Sequence, residues 1–345
     1  MNPIKKLLKS YGDNGGRYNA RRILRHFDDT MLFYILGARR IGKTDLFLRL
    51  ACDLWQQYNL KTMWIRNKKV ELEDPAFMAD FLSDPKRFGW CPDSWTVRSD
   101  GVYTGPDKTD ELIIKFQSIS TFSNRRGGAH PGVVLMVLDE MMPEDRKYPR
   151  MCAQGLLSLS KTVFSGNKDA RIFCLSNYVS AANPYFVRFR VYPDPDKDGT
   201  VFPDKGILIE RCRGYRSAIE DDNPWNRVYK AGGVGNYESE NEDSLITLIS
   251  KIPKGCSMAP YLFKMDGIIY REWRKNGVKY FDELKGGIPA NTVVYTPNVS
   301  ECGQGVQLIH PFIIQALNQD MIFGTLRFKD PNVMFAILSM IYETV

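Results

Sequence analysis

An apolar run, MLFYIL (31–36), is followed at once by the octapeptide GARRIGKT (37–44) and then by a segment, 45–58, whose apolar residues share one helix face. The octapeptide fits the pattern G-x-x-x-x-G-K-[ST] at every fixed position. Its glycines let the backbone curl so that successive N–H groups point at phosphate oxygens. A loop of this kind between a buried strand and a helix predicts a nucleotide-binding α/β domain rather than a structural turn.

The fixed residues of the octapeptide each have a chemical role in such a site. Lys43 is expected to reach the β- and γ-phosphates and to assist catalysis, while Thr44 supplies a hydroxyl to Mg²⁺. The positive end of the following helix adds to the attraction for phosphate. ATP and Mg²⁺ are therefore the predicted cofactors. The predicted cofactor-binding residues are Gly37, Ala38, Arg39, Arg40, Ile41, Gly42, Lys43 and Thr44.

Polar residues at the ends of two later strands complete the predicted site. The run GVVLMVLDE (132–140) predicts a strand covered on both faces that ends in Asp139 and Glu140. Asp139 is expected to bind Mg²⁺ directly or through water, and Glu140 to act as the general base on the attacking water. Asn177 ends the next apolar strand and is predicted to sense the γ-phosphate. The alternatives are a solvated strand end for the two acids and a turn for Asn177.

Strands that alternate with helices over 31–177 predict a doubly wound α/β sheet. The adjacent acids favour the additional-strand, catalytic-glutamate class of P-loop NTPases, which includes RecA-like and terminase-like folds. WTVRSDGVYTG predicts a hairpin that turns at Asp100-Gly101. We predict an ATPase domain over 1–205, a linker region over 206–243 and a smaller α+β domain over 244–345, with a β meander and two closing helices.

Charge and composition narrow the classes of function. Residues 1–50 contain eleven Lys or Arg against four Asp or Glu, whereas the rest of the chain is balanced. A basic arm of this kind suits a polyanion such as nucleic acid, and a solvated tail is the alternative. No apolar run is long enough to cross a bilayer, so we expect a cytosolic protein without a membrane partner. Seven scattered cysteines without a CxxC pair indicate a reducing compartment rather than a zinc site.

Four segments in this order, ILGARRIGKT, VLDE, LLSLSKTVF and CLSNYVSAANPYF, resemble the encapsidation protein of small short-tailed bacteriophages with protein-primed linear genomes, a DNA-packaging ATPase. The resemblance implies a homo-oligomeric ring, typically a pentamer, at the portal vertex of a procapsid. Such a ring drives double-stranded viral DNA inward and docks through the portal protein and, in known cases, a structural RNA. It implies a location in the host cytoplasm and transiently at the portal. The C-terminal domain would resemble an inactive, RNase H-type nuclease that contacts DNA or the docking platform.

Ring ATPases usually complete each site with a basic residue from the neighbouring subunit. The family pattern places an arginine directly after TVF, but this chain has Ser165 there. Lys168 and Arg171 lie just beyond and are candidate substitutes, and Arg126 matches a second trans-acting position. Arg39 also matches an arginine of the family. Arg66 ends a strand and is assigned no role.

Other interpretations stay open at this point. A helicase or an initiator-type P-loop ATPase shares the same core, and a nucleotide-gated docking platform would hydrolyse ATP only slowly. DPDKDG (194–199) is not a calcium loop, because Lys205 stands where a bidentate carboxylate is required. Asp266, Glu272, Asp282 and Glu283 would have to converge for two-metal nuclease activity, which we do not expect. The segment 270–281 fits a nucleic-acid surface and an ordinary hairpin equally well.

Overall fold

The computed structural model describes residues 1–12, 15–107, 109–122, 130–143, 147–177, 180, 182–194, 196–215 and 248–344. The chain divides into two compact units, residues 1–179 with 193–240 and residues 180–192 with 241–345. Within the described residues, no helix combines the length and apolar character that a membrane crossing requires.

The first unit is built on a nine-stranded sheet with the order β3-β4-β5-β2-β6-β7-β1-β9-β8. The six strands from β5 to β9 in this order run parallel, and an antiparallel strand or hairpin is added at each edge. Its strands are β1 (Leu32–Leu36), β2 (Lys61–Arg66), β3 (Thr96–Arg98), β4 (Gly101–Tyr103), β5 (Leu112–Ser118), β6 (Val133–Leu138), β7 (Arg171–Ser176), β8 (Gly199–Phe202) and β9 (Ile207–Arg211).

Helices cover this sheet, as the continuous burial of β1, β6 and β7 requires. Phe173 of β7 lies between Phe33 of β1 and Phe47, with ring centroids 4.6 and 4.5 Å apart, so aromatic packing holds the helix after β1 against the sheet. The helices of this unit are α1 (Pro3–Ser10), α2 (Arg21–Leu24), α3 (Lys43–Tyr58), α4 (Lys69–Leu72), α5 (Pro75–Asp80), α6 (Ser83–Arg87), α7 (Ile119–Phe122) and α8 (Cys152–Phe164). The predicted P-loop α/β architecture is confirmed.

The basic N-terminal segment is part of the folded unit. Helix α1 buries Ile4, Leu7 and Leu8 and packs on α2 and α3. The side chain of Asn2 accepts from the Ile4 amide and donates to the carbonyl of Asp169, which fixes the start of the helix. A solvated tail is therefore the wrong interpretation for residues 3–10.

The second unit contains a six-stranded mixed sheet with the order β14-β13-β10-β11-β12-β15. Strands β10, β11 and β12 form the predicted antiparallel meander, but β13 pairs parallel with β10, β14 with β13, and β15 with β12. The predicted α+β character is therefore confirmed with a more complex sheet. Its elements are α9 (Pro184–Phe189), β10 (Ser257–Met265), β11 (Ile268–Lys275), β12 (Val278–Glu283), β13 (Val293–Thr296), β14 (Val306–Leu308), α10 (Pro311–Ile322), β15 (Leu326–Phe328) and α11 (Pro331–Thr344).

Two boundaries differ from those expected from the sequence. Strand β9 begins at Ile207 and pairs with β1, so the start of the predicted linker, 206–243, belongs to the first sheet. Residues 180–192 belong to the second unit, because α9 packs on α11 there. The predicted hairpin is present, but Arg98 pairs with Gly101, so its turn is Ser99-Asp100.

Candidate functional site

The phosphate loop lies between the end of β1 and the start of α3. Its two glycines are required for different reasons. A Cβ on Gly37 would lie 2.6 Å from the Cβ of Cys212, so that position has no room for a side chain. Gly42 has a φ of +93°, which an L-residue rarely adopts. Arg40, which is not a glycine, has a φ of +61°.

The loop presents backbone donors to a ligand. The amides of Arg40, Ile41 and Gly42 have no backbone acceptor among the residues that the structure describes. Helix α3 starts at Lys43, so its positive end faces the same place. Unpaired amides at a helix start favour a bound anion, and a polyphosphate would satisfy several of them at once.

Lys43 is held within this cradle. Its ammonium donates to the carbonyls of Gly37 (2.7 Å) and Ala38 (2.6 Å) and to Oδ1 of Asn177 (3.2 Å). Burial lowers the pKa of Lys43 to about 8, because desolvation penalises the charged form. The structure thus brings together Lys43 and Asn177, which are far apart in sequence, because β1 and β7 are adjacent parallel strands.

Asp139 follows β6 and lies beside the start of α3. Its Oδ1 is 3.4 Å from the hydroxyl of Thr44. The described residues contain no group of three His, Cys, Asp or Glu side chains arranged to hold a metal ion. A hydroxyl and one carboxylate fit Mg²⁺, which commonly takes its other ligands from water and from substrate phosphates. These residues therefore fit the predicted cation.

Arg66, at the end of β2, forms ion pairs with both Asp139 and Glu140. Its Nη2 lies 2.9 Å from Oδ2 of Asp139 and its Nη1 lies 2.5 Å from Oε2 of Glu140. Burial alone would lower the pKa of Arg66, but the two carboxylates raise it. Sequence analysis assigned no role to Arg66. The signal was the register of β2 on β6, which pairs Ile65 with Leu138 and so places residue 66 beside the acids.

Glu140 has an unusual backbone conformation. Its φ is +52°. The buried side-chain amide of Asn67 donates to the carbonyls of Glu140 (3.0 Å) and Met141 (2.9 Å). About half of the Glu140 side chain is exposed, whereas Asp139 is buried. A fixed, strained backbone and an accessible carboxylate suit a general base that must meet a water molecule.

The chain before β1 supports the loop from outside. The Tyr18 amide donates to the carbonyl of Ile41 at 2.8 Å, and Arg17 pairs with Asp45 in the first turn of α3. The Tyr18 hydroxyl donates to Oε2 of Glu210 at 2.9 Å. Glu210 is fully buried, and burial raises its pKa to about 7.

The candidates for a trans-acting cation differ in their surroundings. Arg126 lies outside the described residues. Lys168 is exposed in the turn before β7. Arg171 is the wrong candidate, because its guanidinium is buried, donates to the carbonyls of Lys168 and Ala170, and lies 4.9 Å from the ring centroid of Phe27. A side chain fixed in this way cannot extend into a neighbouring subunit.

The acids of the second unit do not converge. Arg271 is opposite Asp282 and Phe281 is opposite Glu272, so the two acids face opposite sides of the sheet. Glu272 is buried, with Oε1 at 2.5 Å from Nε of Arg274, and Asp282 forms a bidentate pair with Arg271. These cations neutralise the acids, and the segment 270–281 forms a regular hairpin.

Known DNA packaging proteins of bacteriophages are similar to this chain in sequence. The family model for the podovirus DNA encapsidation protein (Gp16) matches residues 13–220. The DNA packaging protein of Bacillus phage phi29 is 26% identical over 326 residues, which are 91% of this chain and 93% of that protein. That of Bacillus phage B103 is 29% identical over 185 residues, 53% of this chain and 54% of its own length.

Solved structures agree with these matches. The Phi-28 gp11 DNA packaging motor has a TM-score of 0.72 at 15% identity and covers 96% of this chain and 98% of its own. The N-terminal domain of the DNA packaging ATPase from bacteriophage phi29 has a TM-score of 0.50 at 29% identity and covers 57% of this chain and 96% of its own. The resemblance found in the sequence is confirmed, and the chain belongs to the podovirus DNA encapsidation protein (Gp16) family.

Proposed function

We propose that this protein is an ATPase that drives double-stranded viral DNA into a procapsid. The observation that carries the proposal is that a phosphate loop lies beside a pair of consecutive acids, Asp139 and Glu140, in a member of this family. The loop supplies the nucleotide site and the acids supply the means to activate water.

ATP binds with its phosphates on the amides of the loop and on Lys43. To reach them, the ammonium of Lys43 leaves the carbonyls of Gly37 and Ala38, to which it now donates. Asn177 also accepts a hydrogen bond from Lys43, so a movement of Lys43 changes that bond. Nucleotide binding is thereby coupled to the end of β7. Thr44 and Asp139 would hold Mg²⁺, which would supply positive charge near the phosphate oxygens.

Glu140 accepts the proton of the attacking water. Its carboxylate is paired with Arg66, so it must part from that guanidinium before it orients water. Arg66 also pairs with Asp139, whose carboxylate would be needed to hold Mg²⁺ together with Thr44, so Arg66 would compete with the ion for that carboxylate. This competition would link nucleotide binding to the readiness of the general base.

The assembly and its partners belong to the same proposal. A ring of identical subunits, a pentamer by resemblance, docks at the portal protein, and the same resemblance implies docking through a structural RNA. Hydrolysis in one subunit is completed by a cation of the next, for which Lys168 and Arg126 are the candidates. The second unit, a nuclease-like domain, contacts DNA or the docking platform, and the pairing of its acids with arginines supports its inactivity as a nuclease.

The test is the ATPase rate of the purified protein with and without duplex DNA. We expect duplex DNA to stimulate hydrolysis by the wild type, and the Lys43→Ala variant to be inactive in both conditions. DNA contacts to phosphates should weaken steeply as salt rises and should not depend on sequence. Stimulation by single-stranded DNA alone would favour a helicase, and hydrolysis by a stable monomer without any response to DNA would overturn the motor.

A further inference from the structure

Asn67 is a fully buried polar residue that lies directly after β2. Burial of a side-chain amide is costly unless its N–H groups have acceptors. The Nδ2 group of Asn67 has two, since it donates to the carbonyl of Glu140 at 3.0 Å and to the carbonyl of Met141 at 2.9 Å. These carbonyls belong to the proposed general base and to the residue that follows it. Asn67 therefore contacts the backbone that carries the catalytic carboxylate.

The backbone conformation of Glu140 depends on this contact. Its φ of +52° lies in the left-handed region, which residues other than glycine rarely adopt. A return to a negative φ would rotate the carbonyl and the side chain of Glu140 about the N–Cα bond. The hydrogen bonds from Asn67 and the direction of the carboxylate are thus set by the same torsion angle.

Asn67 is one of two groups that fix the peptide between Glu140 and Met141. The amide of that peptide, on Met141, donates to the carbonyl of Leu175 in β7 at 2.8 Å, and its carbonyl, on Glu140, accepts from Asn67. Asn67 is fixed in turn, because its own carbonyl accepts from the amide of Ser120 at 3.1 Å. The peptide is therefore held by β7 on one side and by the end of β2 on the other.

We propose that Asn67 is a positioning residue, which holds the backbone of Glu140 so that the carboxylate faces the attacking water. The inference rests on the proposed function, because it needs Glu140 to be the general base. Asn67 acts through Glu140, so its loss should lower kcat while the affinity for ATP, which depends on the phosphate loop, is retained. A displacement of about 1 Å is enough to cost about 10²-fold in rate.

The experiment compares the full-length wild type with Asn67→Leu and Asn67→Asp. Leucine keeps the volume but has no donor, and an ionised aspartate keeps the shape but has only acceptors. We expect each change to lower kcat about 10–100-fold in a phosphate-release assay without DNA. The Kd for Mg-ATP, measured by calorimetry in chains that also carry Glu140→Gln, should change by less than about threefold.

A double variant tests whether Asn67 acts through Glu140. Glu140→Gln removes the general base, so the position of its backbone no longer limits hydrolysis. Adding Asn67→Leu to Glu140→Gln should lower the residual rate by less than about threefold, although Asn67→Leu alone lowers kcat about 10–100-fold. An equal factor in both backgrounds would show that Asn67 acts independently of Glu140 and would overturn the inference.

Asn183 provides the matched control. It is also fully buried and its Nδ2 group donates to the carbonyl of Ser180 at 2.6 Å, but it lies in the second unit. Asn183→Leu and Asn67→Leu should each lower Tm, because each change leaves a buried carbonyl without its donor. Only the change at residue 67 should lower kcat.

The remaining outcomes separate this inference from the proposed function. If both Asn67 variants hydrolyse ATP at the wild-type rate while Glu140→Gln does not, the positioning role is overturned and the general base stands. If both Asn67 variants lose ATP binding together with hydrolysis, Asn67 supports the domain as a whole and the inference is again overturned. If the wild type itself hydrolyses no ATP, both proposals fall.

Discussion

Each unit of this protein contains two acids close together in a β-sheet, and the two pairs have opposite arrangements. In the first unit, Asp139 and Glu140 follow the carboxyl end of a parallel strand, and one arginine, Arg66, bridges both. In the second, Glu272 and Asp282 lie within a hairpin, on opposite faces, and each has its own arginine. Acids at the end of a strand can share a ligand, whereas acids on opposite faces of a sheet cannot.

The largest expected effect is on hydrolysis. Glu140→Gln should lower kcat by about 10²–10⁴-fold, since it removes the general base while leaving the loop able to bind ATP. Glu283→Gln, at an exposed acid of the second unit, is the matched control and should leave kcat unchanged. A steady-state phosphate-release assay measures both. An equal loss of kcat in the two variants would contradict the proposed difference between the acids of the two units. Retention of procapsid docking by Glu140→Gln with no translocation is the result expected of a motor.

The acids of the second unit should matter for stability instead. Glu272→Ala removes the partner of Arg274 and of the Tyr261 hydroxyl, which lies 3.1 Å from Oε2, and should destabilise the unit by about 1–3 kcal/mol. Urea denaturation measures the change, and the ATPase rate without DNA should be unaffected. A metal-dependent nuclease activity of the wild type that disappears in this variant would contradict the pairing described above.

The cations of the two units differ in a similar way. Arg274 is paired with a carboxylate, whereas the ammonium of Lys43 is held by carbonyls and an amide and has a pKa of about 8. Bound phosphates restore its charged form, so ATP binding above pH 8 takes up a proton. The Kd for ATP should therefore rise about tenfold per pH unit above 8. Calorimetry from pH 7 to 9.5 checks this, and Lys43→Arg, which stays charged, should show no such rise.

A buried acid outside the site sharpens the comparison further. Burial raises the pKa of Glu210 to about 7, above its unfolded value, so the folded state binds the extra proton. The stability that this proton gives is complete below about pH 4.5 and is lost as pH rises through about 7. Glu210→Gln should remove this slope, a change of about 3 kcal/mol across the interval. Thermal unfolding between pH 5 and 8 measures it, and an unchanged slope would show that Glu210 is ionised throughout.

The parts of the fold that were predictable are those encoded by short local patterns. MLFYIL, KTMWIR and ARIFCLSN contain the observed β1, β2 and β7, because strands buried on both faces are continuously apolar. The position of the phosphate loop was predictable because the octapeptide is itself a short local pattern. The parallel pairing of β13, β14 and β15 was not predictable, since these strands are only three or four residues long and their partners are distant in sequence.

Within the site, residues that are neighbours in sequence were predictable, whereas a residue placed by strand register was not. Asp139 and Glu140 were predictable because they are neighbours that end an apolar run. Arg66 was not, since its role depends on how β2 aligns with β6. Arg171 was misjudged because burial against Phe27 depends on the packing of the whole domain, which a basic residue in sequence does not reveal.

The closeness of Gly37 to Cys212 has a mechanical consequence. The amide of Cys212 donates to the carbonyl of Leu36 at 2.6 Å, so the first peptide of the nucleotide loop is fastened to the chain that leaves β9. In sequence, this chain leads from the first unit to the second. Because the backbone at Gly37 packs directly against Cys212, a displacement of the loop would also displace the chain at residue 212. The phosphate loop is thus coupled to the part of the chain that leads, in sequence, to the second unit.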